Sequence, residues 1–375
     1  MKNYLLLIFS VLLFSCGGNE KQADFSNLTV KIDTVMVDSK GEIIMGATNM
    51  FLSGFSNDNS KIYHYDAQNG EIEVIDLNLL TLERKIKVEK EGPDGVGTVW
   101  WFDFWNDSLF VFYNFTRIEF LDQNLKKVSF IDLHNSYVGK TGLGDGYMYK
   151  NNFTVLDSPK RLLSQVTTKD SNFLHFAYLD FDNEKVEIIQ NTDLEKVNDF
   201  NISLIQGKSK TSIIQPIGLL SWNDKTYIFN QANNQVFEYL NQENLLQEIP
   251  IQQFKIPSQK SKPYRLETES QKEFKEQVLA LDEEITYNKL VIDPESGDFY
   301  RIASLKTQAS YEGSPSKWDI YLIKYDSAFN LLAEIKFVDN SKILELISEY
   351  FVKDGMVWIR VNLNDEMGFV RLKIG

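Results

Sequence analysis

Six times along this chain the same unit returns: a strand, a turn rich in Asn, Asp or Gly, a second strand, and often a third after a short link. The copies read KIYHYDAQNGEIEVIDLNLLTLERKIKV from Lys61, SLFVFYNFTRIEFLDQNLKKVSFIDL from Ser108 and NFLHFAYLDFDNEKVEII from Asn172. They continue as TYIFNQANNQVFEYLNQENLLQEIPI from Thr226, DFYRIASL through KWDIYLIKYDSAFNLLAEIKF from Asp298, and MVWIRVNLNDEMGFVRLKI from Met356. Apolar and polar residues alternate with the period of strands, and the turn residues mark hairpins. Successive starts lie 47, 64, 54, 72 and 58 residues apart. A unit of this size cannot bury two apolar faces by itself, so the copies must stack on one another.

Stacked units of three to four antiparallel strands are the sequence sign of a β-propeller, whose blades pack face to face around a channel. The expected fold is therefore all-β, a six-bladed β-propeller of antiparallel four-stranded blades over residues 28–375. The last copy ends after its third strand at Ile374-Gly375, and an early orphan strand, Leu28 to Val37, is expected to supply the fourth and close the ring. Residues 268–284 hold good helix formers with Phe274, Val278 and Leu281 along one face, which predicts a short amphipathic helix covering part of one rim. Ser158 to Lys169 interrupts the third copy and reads as a long loop or an extended hairpin.

The N-terminus predicts export. Met1-Lys2-Asn3 is a short basic region, and Tyr4 to Phe14 is apolar apart from Ser10. That stretch is too short for a membrane span, which needs ~20 residues, so it reads as a signal peptide. Leu12 to Cys16, LLFSC, resembles a bacterial lipobox. The expected organisation is a lipoprotein signal peptide at 1–15, lipidation of Cys16, a polar tether over 16–27, and then the propeller. Two or more acyl chains anchor stably where one does not. Gly17 after the cysteine resembles outer-membrane sorting, so the expected location is the cell envelope, at the outer membrane.

Composition narrows the chemistry. Cys16 is the single cysteine, so once lipidated it leaves no thiol for a disulfide, a thiolate nucleophile or a cysteine metal site. A formal net charge of -14 argues against nucleic acid, whose phosphates demand clustered Lys and Arg, and against electrostatic docking on anionic lipid. Membrane contact is assigned to the N-terminal lipid instead.

The lipobox, the six repeats and the segment Lys90 to Gly97, KEGPDGVG, resemble the six-bladed propeller lipoproteins of Bacteroidota, a family catalogued as a domain of unknown function. The resemblance covers essentially the whole mature chain and implies fold and anchoring. It brings no catalytic residues to carry over. The copies lack the Gly-His and Trp-Asp signature of WD repeats.

Local motifs give little chemistry. Gly139-Lys140-Thr141 lacks the upstream glycine and following helix of a phosphate-binding loop. In VWWFDFWND (Val99 to Asp107) a strand places Trp100, Phe102 and Phe104 on one face and Trp101, Asp103 and Trp105 on the other, as core packing does, with Asp103 left to the channel or a buried partner. Arg301 and Arg360, inside strands, call for carboxylate or carbonyl partners between blades, a ligand-facing guanidinium being the other reading. Asp293 to Asp298 reads as a turn, not a calcium loop.

The inferred topology does single out one rim. Connections from an outermost strand to the next innermost strand are expected at residues 91–97, 138–146, 206–212 and 258–265. They carry Lys140, Lys208, Lys210, Lys260, Lys262 and Arg265, a prospective basic collar, with Asp94 and Thr141 beside it and glycine amides open to an anion. The function expected first is non-catalytic binding on this loop-rich rim, with an anionic glycan or an envelope protein as partner and no cofactor. The competing expectations are a carbohydrate- or lactone-directed lyase or hydrolase with a divalent metal in the channel, and a structural partner in an outer-membrane complex.

Overall fold

A computed structural model describes residues 25, 27–47, 50–168, 174–252, 255–264, 267–308, 316–337, 347 and 349–375. Cys16, the expected signal peptide and Arg265 lie outside the described residues. The chain is all-β, and the described residues form six four-stranded antiparallel sheets in sequence order. They span 53–87, 101–132, 147–189, 217–249, 286–337 and 350–374, the sixth completed by Val30–Met36 from the N-terminal end. That first strand pairs antiparallel with Glu366–Ile374, from Val30 opposite Ile374 to Met36 opposite Gly368, as the orphan strand predicted.

Turn chemistry explains the hairpins. Asn223-Asp224, Asn364-Asp365 and Asp354-Gly355 each join paired strands by two residues, all with positive φ. A two-residue loop matched to the twist of its strands needs that backbone, and Asn, Asp and Gly reach it at least cost. The second strands are buried on both faces, so their side chains split by parity between two interfaces. In Leu109–Asn114, Phe110 and Phe112 pack toward the first sheet while Val111 and Tyr113 pack toward the third.

The apolar clusters run from sheet to sheet in a cycle. Tyr65, Ile72 and Phe102 join the first and second sheets; Ile118, Leu162 and Ala177 the second and third; Leu163, Phe176 and Phe237 the third and fourth. Phe229, Tyr287 and Phe299 join the fourth and fifth, Ile302, Leu322 and Val352 the fifth and sixth, and Ile62, Ile75 and Phe369 the sixth and first. The first strands form the inner wall. Asn152 on the third sheet donates to Ile217 O on the fourth at 2.9 Å, and Gly54 on the first lies against Phe104 on the second.

The buried arginines resolve differently. Arg360 pairs with Glu349 and donates to Ala47 O, whereas Arg301, fully buried, meets no carboxylate among the described residues. Its guanidinium donates to Asn288 O at 2.9 Å, Asn234 Oδ1 at 3.1 Å and Asn230 O at 2.5 Å, between the rings of Tyr287 and Phe229. Carbonyl oxygens thus satisfy its planar fork across the fourth and fifth sheets.

Two expectations need correcting. Of the two readings of Ser158 to Lys169, the long loop is corrected and the extended hairpin stands: Arg161–Thr168 is the second strand of the third sheet, hydrogen-bonded on both sides, its Leu162, Leu163 and Val166 needed in two interfaces. Residues 206–212 do not connect blades directly. They form the turn and edge of a small extra sheet ordered Ser209–Ile213, Ile202–Gln206, Glu267–Thr268. The helix Gln271–Asp282 packs Phe274, Val278 and Leu281 beside it onto the core between the third and fourth sheets, with Ser270 capping the Glu273 amide at 3.3 Å.

The close inner wall gives a clean test. A Cβ on Gly54 would come within 2.2 Å of Phe104 N and 2.7 Å of Asp103 C, both backbone atoms that cannot swing aside. Gly54→Ala is therefore expected to destabilise by about 1–3 kcal/mol in urea denaturation, as overpacking does, while Gly146→Ala, with open space around it, should stay close to wild type.

Candidate functional site

A groove of about 500 Å³ opens where three pieces of chain meet: Lys90–Gly97 between the first and second sheets, Asn114–Arg117 between two strands of the second sheet, and Asp132–Asn135 leaving it. Each piece is fixed by its own sequence. Gly92-Pro93-Asp94-Gly95 is a turn with the Gly95 amide on Gly92 O at 3.1 Å, proline in its favoured second place, and Gly92 at φ +95°. Gly97, at φ +68°, returns the chain with its amide on Lys90 O at 3.0 Å.

Asp94 anchors this loop. Its carboxylate accepts from the Lys127 amide at 3.0 Å and the Lys126 ammonium at 3.0 Å, and these bonds, the amide first, hold its pKa below the usual carboxylate range. Asn114 Oδ1 gathers the Thr116 hydroxyl and the Arg117 amide, both at 3.0 Å, while its Nδ2 donates to Val96 O at 3.1 Å. Asp132 accepts the amides of His134 and Asn135 at 3.0 and 2.8 Å, and the Asn135 amide above all lowers its pKa.

Glu119, 3% exposed, lies in the groove lining. Its Oε2 lies 3.0 Å from the Lys127 ammonium but out of hydrogen-bond alignment, so that oxygen has no hydrogen-bond partner among the described residues. Elsewhere on the ring a buried glutamate holds a connection by its amides. Glu73 accepts Met45 N and Gly46 N, both at 2.9 Å, and Glu334 accepts Lys255 N at 2.7 Å and Ile256 N at 3.2 Å. The loop Lys90–Gly97 gives Glu119 no such amide.

The prospective collar is divided. Lys208, Lys210 and Lys262 belong to the two connections that fold together around the extra sheet, but Lys210 is paired with Glu267 at 2.9 Å and Lys262 lies over the Tyr264 ring at 5.7 Å. Lys260 is buried, donating to Ile285 O at 2.7 Å, and burial pulls its pKa down to about 8. Lys140 is exposed on a single π-helical turn, Val138–Gly142, where the Thr141 hydroxyl donates to Tyr137 O at 3.2 Å. Among the described residues no group of three or more His, Cys, Asp and Glu side chains is placed to hold a metal ion. Arg117, Glu119, Asp132 and His134 were missed because they come from a hairpin turn and a strand end. The signal was topological: the turn after a blade's second strand shares the rim of the connection that enters the blade.

The sequence profile of the family described as Domain of unknown function (DUF4221) matches residues 25–336. The chain belongs to this family. It is similar to the crystal structure of a family member from Bacteroides vulgatus, with a TM-score of 0.61, 12% identity and coverage of 94% of this chain and 99% of that one. It is also similar to a protein from Bacteroides fragilis assigned as exported, with a TM-score of 0.51, 12% identity and coverage of 92% and 95%. A β-propeller domain from Myceliophteria thermophila is a more distant likeness, with a TM-score of 0.36, 8% identity and coverage of 91% and 99%. Among curated proteins none matches this sequence.

Beyond the groove, two ionisable groups lie on first strands. Asp103, on Trp101–Trp105, accepts among the described residues only the Phe104 amide, at 2.8 Å, and burial pushes its pKa up to about 6. Lys289, at a bulge of Thr286–Ile292, has its ammonium 5.2 Å from the Tyr350 ring, and burial pulls its pKa down to about 8.

Asp103 sets a pH dependence. Its folded pKa lies above its unfolded one, so the folded state holds the proton more tightly and stability falls as pH rises from about 4 to about 6. The loss is at most ~3 kcal/mol and smaller where water along the inner wall screens the charge. Asp103→Asn should remove that slope, gaining stability over wild type at pH 7 and none near pH 3.5. Parallel stability–pH curves for the two proteins would contradict this.

Proposed function

We propose that this chain is a lipid-anchored six-bladed propeller of the cell envelope that binds a polar ligand in the groove between its first and second blades. The closed cycle of six intersheet clusters supports the blade count. Export and anchoring rest on the leader and the lipobox cysteine, Cys16. No helix among the described residues is long and apolar enough to cross a membrane.

The observation that carries the binding role is the division of labour in the groove. Asp94, Asn114 and Asp132 are committed to holding backbone, which makes the walls rigid. Arg117, half-exposed and only 3.7 Å from Asp132, and exposed His134 remain to meet a ligand, with Glu119 behind them. Preorganised walls lower the entropy cost of binding. The proposed partners are the membrane, through the lipid, and an envelope glycan or protein at the groove.

The test uses the mature chain with Cys16→Ser. In cells, the chain from Gly17 exported behind a conventional cleavable signal peptide should move from the membrane to the soluble envelope fraction; retention in the membrane would overturn the anchor. In a thermal-shift panel of glycans, peptides and small phosphates, a ligand at a hundredfold its Kd stabilises by ~2.7 kcal/mol. Arg117→Ala should abolish the hit while leaving the unliganded midpoint nearly unchanged, since exposed ion pairs contribute only ~0–1 kcal/mol. A hit that survives Arg117→Ala would place the ligand elsewhere.

A further inference from the structure

Close in sequence to the residues that line the groove are two aromatic side chains that the fold does not bury. Trp100 is 49% exposed and Phe115 56%, and their rings meet at 4.4 Å, tilted by 51°. Both are locked in place by the strands behind them: the Trp100 amide donates to Tyr113 O at 2.8 Å, and the Tyr113 ring backs Phe115 at 6.4 Å. Phe115 sits between Asn114 and Thr116, which line the groove, and Trp100 follows Gly97 by three residues. Of the other large aromatics of this segment, Phe102 and Phe104 are buried, and Trp101 and Trp105 pack partly buried on the cluster between the second and third sheets. An exposed apolar lip beside a polar trough is a surface built for something that is apolar on one side and polar on the other.

We infer that the groove takes a glycan, with one pyranose ring lying on Trp100 and Phe115 and its hydroxyls turned into the trough toward Glu119 and Arg117; this rests on the reading of the groove as a ligand site. A pyranose presents C–H groups on one face and donor–acceptor hydroxyls around its edge, which suits both halves of the site. Glu119 supplies the second, independent observation. It is a buried carboxylate in the groove lining whose Oε2 has the Lys127 ammonium 3.0 Å away, out of hydrogen-bond alignment, and no loop amide such as the two that Glu73 holds on the corresponding strand of the first sheet. With no loop amide claiming it, the carboxylate keeps acceptor capacity for a sugar hydroxyl that enters the groove. Arg117 supplies the complementary donors for ring and hydroxyl oxygens. Phosphate-bearing ligands fit less well, since Glu91 and Glu119 line the same groove.

The experiment is calorimetric titration of the mature Cys16→Ser chain with hexasaccharides of glucose, xylose, mannose and galacturonate, alongside inorganic phosphate and a mixed peptide pool. One saccharide class is expected to bind, and Trp100→Ala to weaken it about tenfold or more, ~1.4 kcal/mol, without lowering the thermal midpoint. Glu119→Gln, which halves the acceptor capacity while keeping the shape, should weaken the same saccharide. Saccharide binding unchanged in both Trp100→Ala and Phe115→Ala would overturn the stacking. Phosphate or peptide binding that is lost in Arg117→Ala, with no saccharide bound, would overturn the glycan and leave the groove standing. Silence from every probe would overturn both.

Discussion

The structure depends on one pairing: Val30–Met36 against Glu366–Ile374, which ties together chain ends more than 300 residues apart. Closing so long a loop costs of order 5 kcal/mol in chain entropy, a cost that grows only with the logarithm of length. The pairing supplies the fourth strand of the sixth sheet and delivers Val35 and Val37 to the cluster between the sixth and first sheets. Arg371 reinforces it, bridging to Asp33 across the pair at 2.8 and 2.5 Å while lying over the Trp358 ring. The sixth and first sheets are far apart in sequence, and the strand adds Val35 and Val37 to the contact that Phe351, Trp358 and Phe369 make with Ile62 and Ile75, where the row of sheets becomes a cycle.

Closure makes each sheet an inner layer, with consequences for polar groups. A charge on such a strand is desolvated on both faces, so it must be spent on a bond. Glu73 and Glu334 spend theirs on rim amides, and Arg301 spends its guanidinium on carbonyls of the fourth and fifth sheets. Glu119 has the Lys127 ammonium 3.0 Å from one oxygen but no loop amide, and it lines the groove. Fold and candidate site are thus linked: the glutamates that elsewhere fasten rim loops leave one carboxylate for a ligand where the loop Lys90–Gly97 is held instead from outside by Asp94 on Lys126 and Lys127.

Much of this was legible in the sequence because it is local. Asn223-Asp224 and Asp354-Gly355 announce tight hairpins, the run Gln271–Asp282 announces a helix, and the truncated last copy announces a strand to be found at the other end. Arg161–Thr168 was hidden because a strand buried on both faces loses the apolar–polar alternation and because its RLLSQVTT keeps polar Ser164 and Gln165 in the middle. The groove was hidden for another reason. Its walls come from three segments that only the stacking of blades brings together, and cations such as Lys260 and Lys210, which looked free in loops, are engaged by Ile285 O and Glu267.

The claim that the terminal pairing closes the ring is tested most directly by native-state hydrogen exchange. The amides of Lys31, Asp33 and Val35, which face Lys373, Arg371 and Phe369, should exchange only through global unfolding, with the same protection and denaturant dependence as Ile72 and Val111 in the core. Exchange of those three amides by local opening, with the core protected and the protein still folded, would show that the ring holds without its closing strand and would contradict this account.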